Sequence, residues 1–162
     1  MNKLDICENK KLVLSNVIIQ SFTKIKVEDL QNCIDTFVND LLAMKVKIKG
    51  PIITRYGEIS FLDNNVYICV DLFIQLENHD EYTQKFMYKE RFVCEECLYL
   101  RFEGNPKELE IIDKKFDVYC YENSLISKQS QFVVVLEESE TYIKVDYFRE
   151  LALWLKYLIK KN

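Results

Sequence analysis

Two stretches, Tyr67-Ile-Cys-Val-Asp-Leu-Phe73 and Tyr142-Ile-Lys-Val-Asp-Tyr-Phe148, agree at five of seven positions and decide how the rest of the chain is read. Both alternate, as half-buried strands do, because successive side chains of a strand point to opposite faces. Ile68, Val70 and Leu72 fall on one face of the first stretch, with Tyr67, Cys69, Asp71 and Phe73 on the other. The copy places Ile143, Val145 and Tyr147 against Tyr142, Lys144, Asp146 and Phe148. Each stretch therefore has an aliphatic-leaning face suited to receiving a helix and a mixed face that combines aromatics with a carboxylate. Two amphipathic strands can also agree by coincidence, since Val, Ile, Tyr and Phe are common strand residues.

The segments before each stretch extend the parallel. Leu12 to Thr23 is rich in β-branched residues and reads as one bent strand or two short ones. Leu30, Cys33, Ile34, Phe37, Val38, Leu41 and Leu42 then recur at helical spacing. Gly50-Pro51 interrupts, and strands follow at Ile52–Tyr56 and Val66–Leu76 across the turn-like Leu62-Asp-Asn-Asn65. The second half gives a strand over Phe92–Phe102 and a Gly104-Asn-Pro106 junction. A helix carrying Leu109, Ile112, Phe116, Tyr119 and Cys120 on one face comes next, and then strands at Gln131–Glu137 and Thr141–Tyr147. Pro106 suits a first helical turn, where its missing N–H has no acceptor in any case. The expected fold is α+β: tandem β-α-β-β repeats related by a pseudo-twofold. An antiparallel sheet would carry the helices on one face and a ligand groove on the other. Repeat one spans 12–76, a connector 77–91 with a short edge strand at Phe86 and Tyr88, and repeat two 92–148. A C-terminal helix over 149–161 completes one domain of 1–162. Its wide apolar face, with Trp154, packs on the sheet or serves a homodimer or protein partner.

Composition narrows the function classes. The chain has 162 residues, 49% hydrophobic and 30% charged, enough for one core and too apolar for disorder. Three glycines and two prolines leave no material for a Gly-rich phosphate loop. The net charge of −4 comes from alternating signs, so no basic field draws nucleic acid directly. No window approaches the roughly 20 apolar residues of a membrane span, and the amino terminus has no signal-peptide core, so a cytoplasmic protein without membrane attachment is expected. The six cysteines sit singly in apolar runs and read as thiols. Cys94-Glu-Glu-Cys97 has metal and redox spacing, but in a regular strand residues three apart face opposite ways, which argues against a shared metal. His79, the single histidine, lies in the polar connector. No catalytic residue, metal set or cofactor is read from the chain.

The mixed faces are what remains. Beside them the strand before the second helix places Glu95, Cys97 and Tyr99, while Leu98, Leu100 and Phe102 take the aliphatic face. Aromatic walls with carboxylates match a flat, cationic organic ligand. The same pattern also suits a sheet whose outer face carries ordinary cross-strand aromatic pairs.

The doubled β-α-β-β order, Gly50-Pro51-Ile-Ile-Thr-Arg-Tyr56, Val66-Tyr-Ile-Cys-Val-Asp71 and Phe102-Glu-Gly-Asn-Pro106 together resemble the GyrI-like small-molecule-binding domain. That domain occurs alone and as the effector-binding domain of multidrug-sensing transcription activators. The resemblance covers about residues 12–148. It implies a central groove in which an acidic residue among aromatics holds cationic ligands, with Tyr56, Tyr67, Asp71, Tyr99, Glu137 and Tyr142 at the matching positions. Two features depart from the family. Leu72 and Tyr147 stand where a proline often closes its strands, and no helix-turn-helix segment precedes the domain, which implies a stand-alone member. Together the alternation and the resemblance nominate ten ligand-binding residues: Tyr56, Tyr67, Asp71, Phe73, Glu95, Tyr99, Glu137, Tyr142, Asp146 and Phe148. The function they suggest is sensing or sequestering an aromatic, cationic small molecule. The alternatives are a gyrase-inhibitor-like or transcription-regulatory protein partner, and a small-molecule hydrolase.

Overall fold

The computed structural model describes residues 4–78 and 86–152. The chain divides into two compact units, one of residues 13–92 and one of residues 1–12 with 93–162. Its fold is α+β, with six strands and two helices among the described residues. Strand β1 (Cys7–Lys26) precedes helix α1 (Leu30–Ala43) and the hairpin β2 (Ile53–Leu62) and β3 (Asn65–Gln75). Strand β4 (Met87–Gly104), helix α2 (Glu110–Glu122), β5 (Ser127–Glu138) and β6 (Ile143–Leu151) repeat that order.

In the unit of residues 13–92, β3 lies between β1 and β2 and pairs antiparallel with both. The β2–β3 turn is Asp63-Asn64, both at positive φ (48° and 60°), the left-handed geometry a two-residue hairpin needs and Asn and Asp tolerate. β1 is one strand of 20 residues, bent where Asn9, Asn16 and Lys24 adopt positive φ. Its pairing register with β3 shifts between Phe22 and Ile25, around Lys24, as an inserted bulge residue requires. Phe37 and Leu41 of α1 pack on Ile18, Ile68, Val70, Leu72 and Ile74, the aliphatic face expected from alternation. Phe86 meets Phe37 edge-on at 5.5 Å.

In the other unit β6 lies between β4 and β5. Ile112, Phe116 and Cys120 of α2 pack on Leu98, Leu100 and Phe102 of β4 and on Ile143, Val145, Tyr147 and Leu151 of β6. The helix begins after a single 3-10 turn over Pro106–Glu108, in which the Asn105 side chain accepts from the Lys107 N–H at 3.0 Å. Arg149 is buried beneath α2. Its guanidinium stacks on Phe116 at 4.7 Å and donates to Asp117, to Asp113 at 2.7 Å and to Gln131 at 3.0 Å. Arg149→Ala is expected to cost about 1–2 kcal/mol, because stacking and charged hydrogen bonds are lost while the exposed carboxylates rehydrate. Lysine should restore only part of this, since it lacks the fork. A lower denaturant midpoint at unchanged slope checks the prediction.

Several boundaries differ from the sequence reading. Tyr88 lies within β4, which opens at Met87 directly after Phe86, so neither belongs to a separate edge strand. Residues 149–151 continue β6 and Ala152 follows without helical structure, while residues 153–161 of the expected tail helix, including Trp154, and His79 lie outside the described residues. No helix among the described residues is long and apolar enough to cross a membrane.

Candidate functional site

Within each unit, the strand face opposite the helix carries the aspartate and several of the candidate residues. Cross-strand register fixes which of them are neighbours, because directly paired residues point the same way.

In the unit of residues 93–162, Asp146 pairs with Arg101 of β4 and Val134 of β5. Arg101 grips it with both arms, Nε to Oδ1 and Nη2 to Oδ2, each at 2.7 Å. Tyr99 donates its hydroxyl to the same Oδ1 at 2.9 Å. The rings of Tyr99 and Phe148, paired in register, stand 5.1 Å apart and tilted by 48°. Lys144 adds a looser cation, 3.4 Å from Glu103 and 3.8 Å from Glu137. Toward one end of this face Phe132 and Cys97 are buried, at 1% and 0% exposure, and Glu150, paired with Cys97, accepts from Ser130.

In the unit of residues 13–92, Asp71 pairs with Arg55 of β2 and Ser21 of β1. Arg55 donates to Asp71 Oδ2 through Nε at 2.9 Å and through Nη2, and its guanidinium lies over the Phe73 ring at 5.3 Å. Phe73 is fully buried and its ring centroid is 4.7 Å from that of Phe92. The two aspartates thus share a motif, a carboxylate clasped by an arginine next to an aromatic ring. Their arginines come from different neighbours, β2 in one unit and β4 in the other.

The expected site residues divide accordingly. Tyr99, Asp146 and Phe148 are brought together, and Asp71 stands beside Phe73. Tyr67 occupies the Asp71 face of β3, opposite Lys26 and Ser60. Tyr56 is on the other face: it pairs with Val70 and packs into the α1 core, where burial raises its hydroxyl pKa. The bulge at Gly57-Glu58, where the β2 register shifts, leaves Arg55 rather than Tyr56 beside Asp71. Tyr142 belongs to the exposed turn before β6, its N–H bonded to Ser139 Oγ at 3.1 Å. Glu95 is an exposed partner of Lys11, and Glu137 approaches Lys144 at 3.8 Å. Arg55 and Arg101 were absent from the sequence reading. Each lies on a different strand from its aspartate, and only the pairing register joins them.

The Tyr99 pKa is pushed up from 10.0 to about 12, chiefly by burial, then by its hydrogen bond to Asp146 and that carboxylate's charge. The fold therefore holds Tyr99 neutral more tightly than the unfolded chain does. This contribution is complete below about pH 10 and is lost as pH rises through about 12. Tyr99→Phe should flatten the stability loss over that interval, read as the difference between the two proteins' alkaline denaturation curves.

No family model matches the sequence, and no curated protein matches it closely. Solved structures do match in fold. The EcmrR C-terminal domain superposes with a TM-score of 0.64 over 93% of this chain and 97% of its own, at 7% identity. A hydrolase from Listeria innocua gives 0.56 at 10% identity, over 93% of this chain and 92% of its own. An uncharacterized conserved protein from Listeria innocua gives 0.57 at 9% identity, over 90% and 93%. At such identities what is shared is the course of the backbone, and this chain has the fold of the GyrI-like small-molecule-binding domains that its sequence resembles.

Proposed function

We propose that the chain binds a small aromatic molecule, one able to carry positive charge, on the sheet face opposite its helices, and so acts as a cytoplasmic sensor or sequestering protein. The observation that carries this reading is the Tyr99–Phe148 ring pair beside a carboxylate engaged by an arginine and a tyrosine. Rings supply stacking surface, and the ion pair supplies a charge that a cationic ligand can share or take over. Support also comes from the fold likeness to the EcmrR C-terminal domain. The Listeria hydrolase offers a second reading by its name alone. Against it, both aspartates commit oxygens to arginine hydrogen bonds. Titrating the protein against a fluorescent flat aromatic cation, and against its neutral isostere, tests the proposal. Saturable anisotropy changes at one site are expected. If a panel of such dyes gives none, the reading fails.

A further inference from the structure

Strand β4 breaks its alternation at the Cys94-Glu-Glu-Cys97 segment. Cys94 and Cys97 are both buried, at 4% and 0% exposure, with Glu95 exposed between them. In a regular strand residues three apart point to opposite faces, so their sulfurs could not meet. Here the two Sγ atoms are 2.8 Å apart. The sequence expectation of opposed side chains is thus overturned. The burial pattern of β4 departs from strict alternation here, with both cysteines inward and Glu95 out. Among the described residues no cluster of three or more His, Cys, Asp or Glu is arranged to hold a metal ion.

We propose that Cys94 and Cys97 form a redox dithiol, which a small neutral two-electron oxidant of the hydrogen peroxide class closes to a disulfide within β4 and a thiol reductant reopens. Closure brings the sulfurs from 2.8 Å to about 2.0 Å, a sub-ångström approach of atoms already in contact. Because both sulfurs are buried, the oxidant expected to reach them is a molecule the size of peroxide, not a protein disulfide. Cys97 is the sulfur that keeps its proton. Its pKa is raised first by hydrogen bonding to Cys94, then by burial and by the charges of Cys94 and Glu150. Cys94, whose Sγ lies 2.8 Å from that of Cys97, is assigned as the attacking sulfur, and the Cys97→Ala variant below tests that order.

The Cys94 thiolate displaces hydroxide from peroxide as the O–O bond breaks, and becomes a sulfenic acid. Cys97 Sγ then attacks the Cys94 sulfur. The S–O bond breaks, an S–S bond forms, and the oxygen leaves as water with the Cys97 proton. In sum two thiols and one peroxide give one disulfide and two waters. Contact between the sulfurs makes the second step intramolecular, which favours crosslinking over further oxidation of the sulfenic acid.

The sequence provides a direct assay. Trypsin cuts after Arg91 and Arg101, releasing the peptide of residues 92–101, which contains these two cysteines and no others. The folded protein is treated with hydrogen peroxide, unfolded in iodoacetamide without reductant, digested and weighed. The expected peptide is unalkylated and two hydrogens lighter than the dithiol form, and dithiothreitol before alkylation returns it to the doubly alkylated mass. Exposed Cys7 reports that the oxidant was active. Cys97→Ala should leave Cys94 as a sulfenic acid that dimedone traps, which distinguishes the attacking sulfur. A peptide doubly alkylated at peroxide doses that consume Cys7, or one carrying sulfinic acids without a crosslink, overturns the proposal. Both readouts are independent of ligand binding.

Discussion

Phe73→Ala should destabilise the protein by about 3–5 kcal/mol, the usual cost of removing a fully buried phenylalanine, which combines lost apolar transfer with the cavity left behind. Phe73 is 0% exposed, and its ring lies between the Phe92 ring and the Arg55 guanidinium. The sequence nominated it as a ligand contact, since it shares a face with Asp71. Its complete burial makes loss of packing the effect expected first. Denaturant unfolding should show the lower midpoint at unchanged slope. Phe73→Leu keeps most of the apolar volume, so the variant should fold and bind an aromatic dye as the parent does. A small stability loss with collapsed dye affinity would return Phe73 to the ligand site.

What the sequence made legible, and what it hid, follows from the range over which each signal acts. Alternation within one strand is local, so the inward set Ile68, Val70 and Leu72 and its counterpart Ile143, Val145 and Tyr147 could be read directly, as could the helix stripes that cover them. Alternation fails wherever a strand carries an extra residue. At Gly57-Glu58 the shifted register separates Tyr56 from Asp71, and within β4 two cysteines three positions apart meet on one side. Glycine at 57 hints at the first break, since a Cβ there would come within 3.3 Å of the Cys69 carbonyl oxygen. Nothing comparable marks the second. The arginine partners are hidden for another reason: 16 positions separate Arg55 from Asp71, and 45 separate Arg101 from Asp146. The pairing follows from strand order and register, which the spacing along the chain does not encode. The sequence thus found the carboxylates and rings of the candidate site but missed the charges that balance them.

That balance sets the expected response to charge. Together Arg101 and Asp146 are neutral, so a cation approaching Tyr99 and Phe148 meets a carboxylate whose attraction is largely cancelled by its own guanidinium. Asp146→Asn leaves Arg101 uncompensated, and a cationic dye should then bind more weakly by about 1–3 kcal/mol, roughly tenfold to a hundredfold. Arg101→Gln acts in the opposite sense. It releases a carboxylate whose side chain is only 13% exposed, and the same dye should bind about tenfold more tightly as it takes the place of the guanidinium. A neutral isostere of the dye should distinguish neither variant from the parent, which separates charge from altered packing. The double variant Arg101→Gln, Asp146→Asn closes the cycle: its coupling energy measures how far the pair acts as one unit toward the ligand. The same three variants at Arg55 and Asp71 show whether the second clasp takes part. Opposite signs for the two single variants at one clasp would locate the cation there. If both weaken the cationic dye and its isostere alike, the ion pair holds the strands together and the ligand is recognised by its rings.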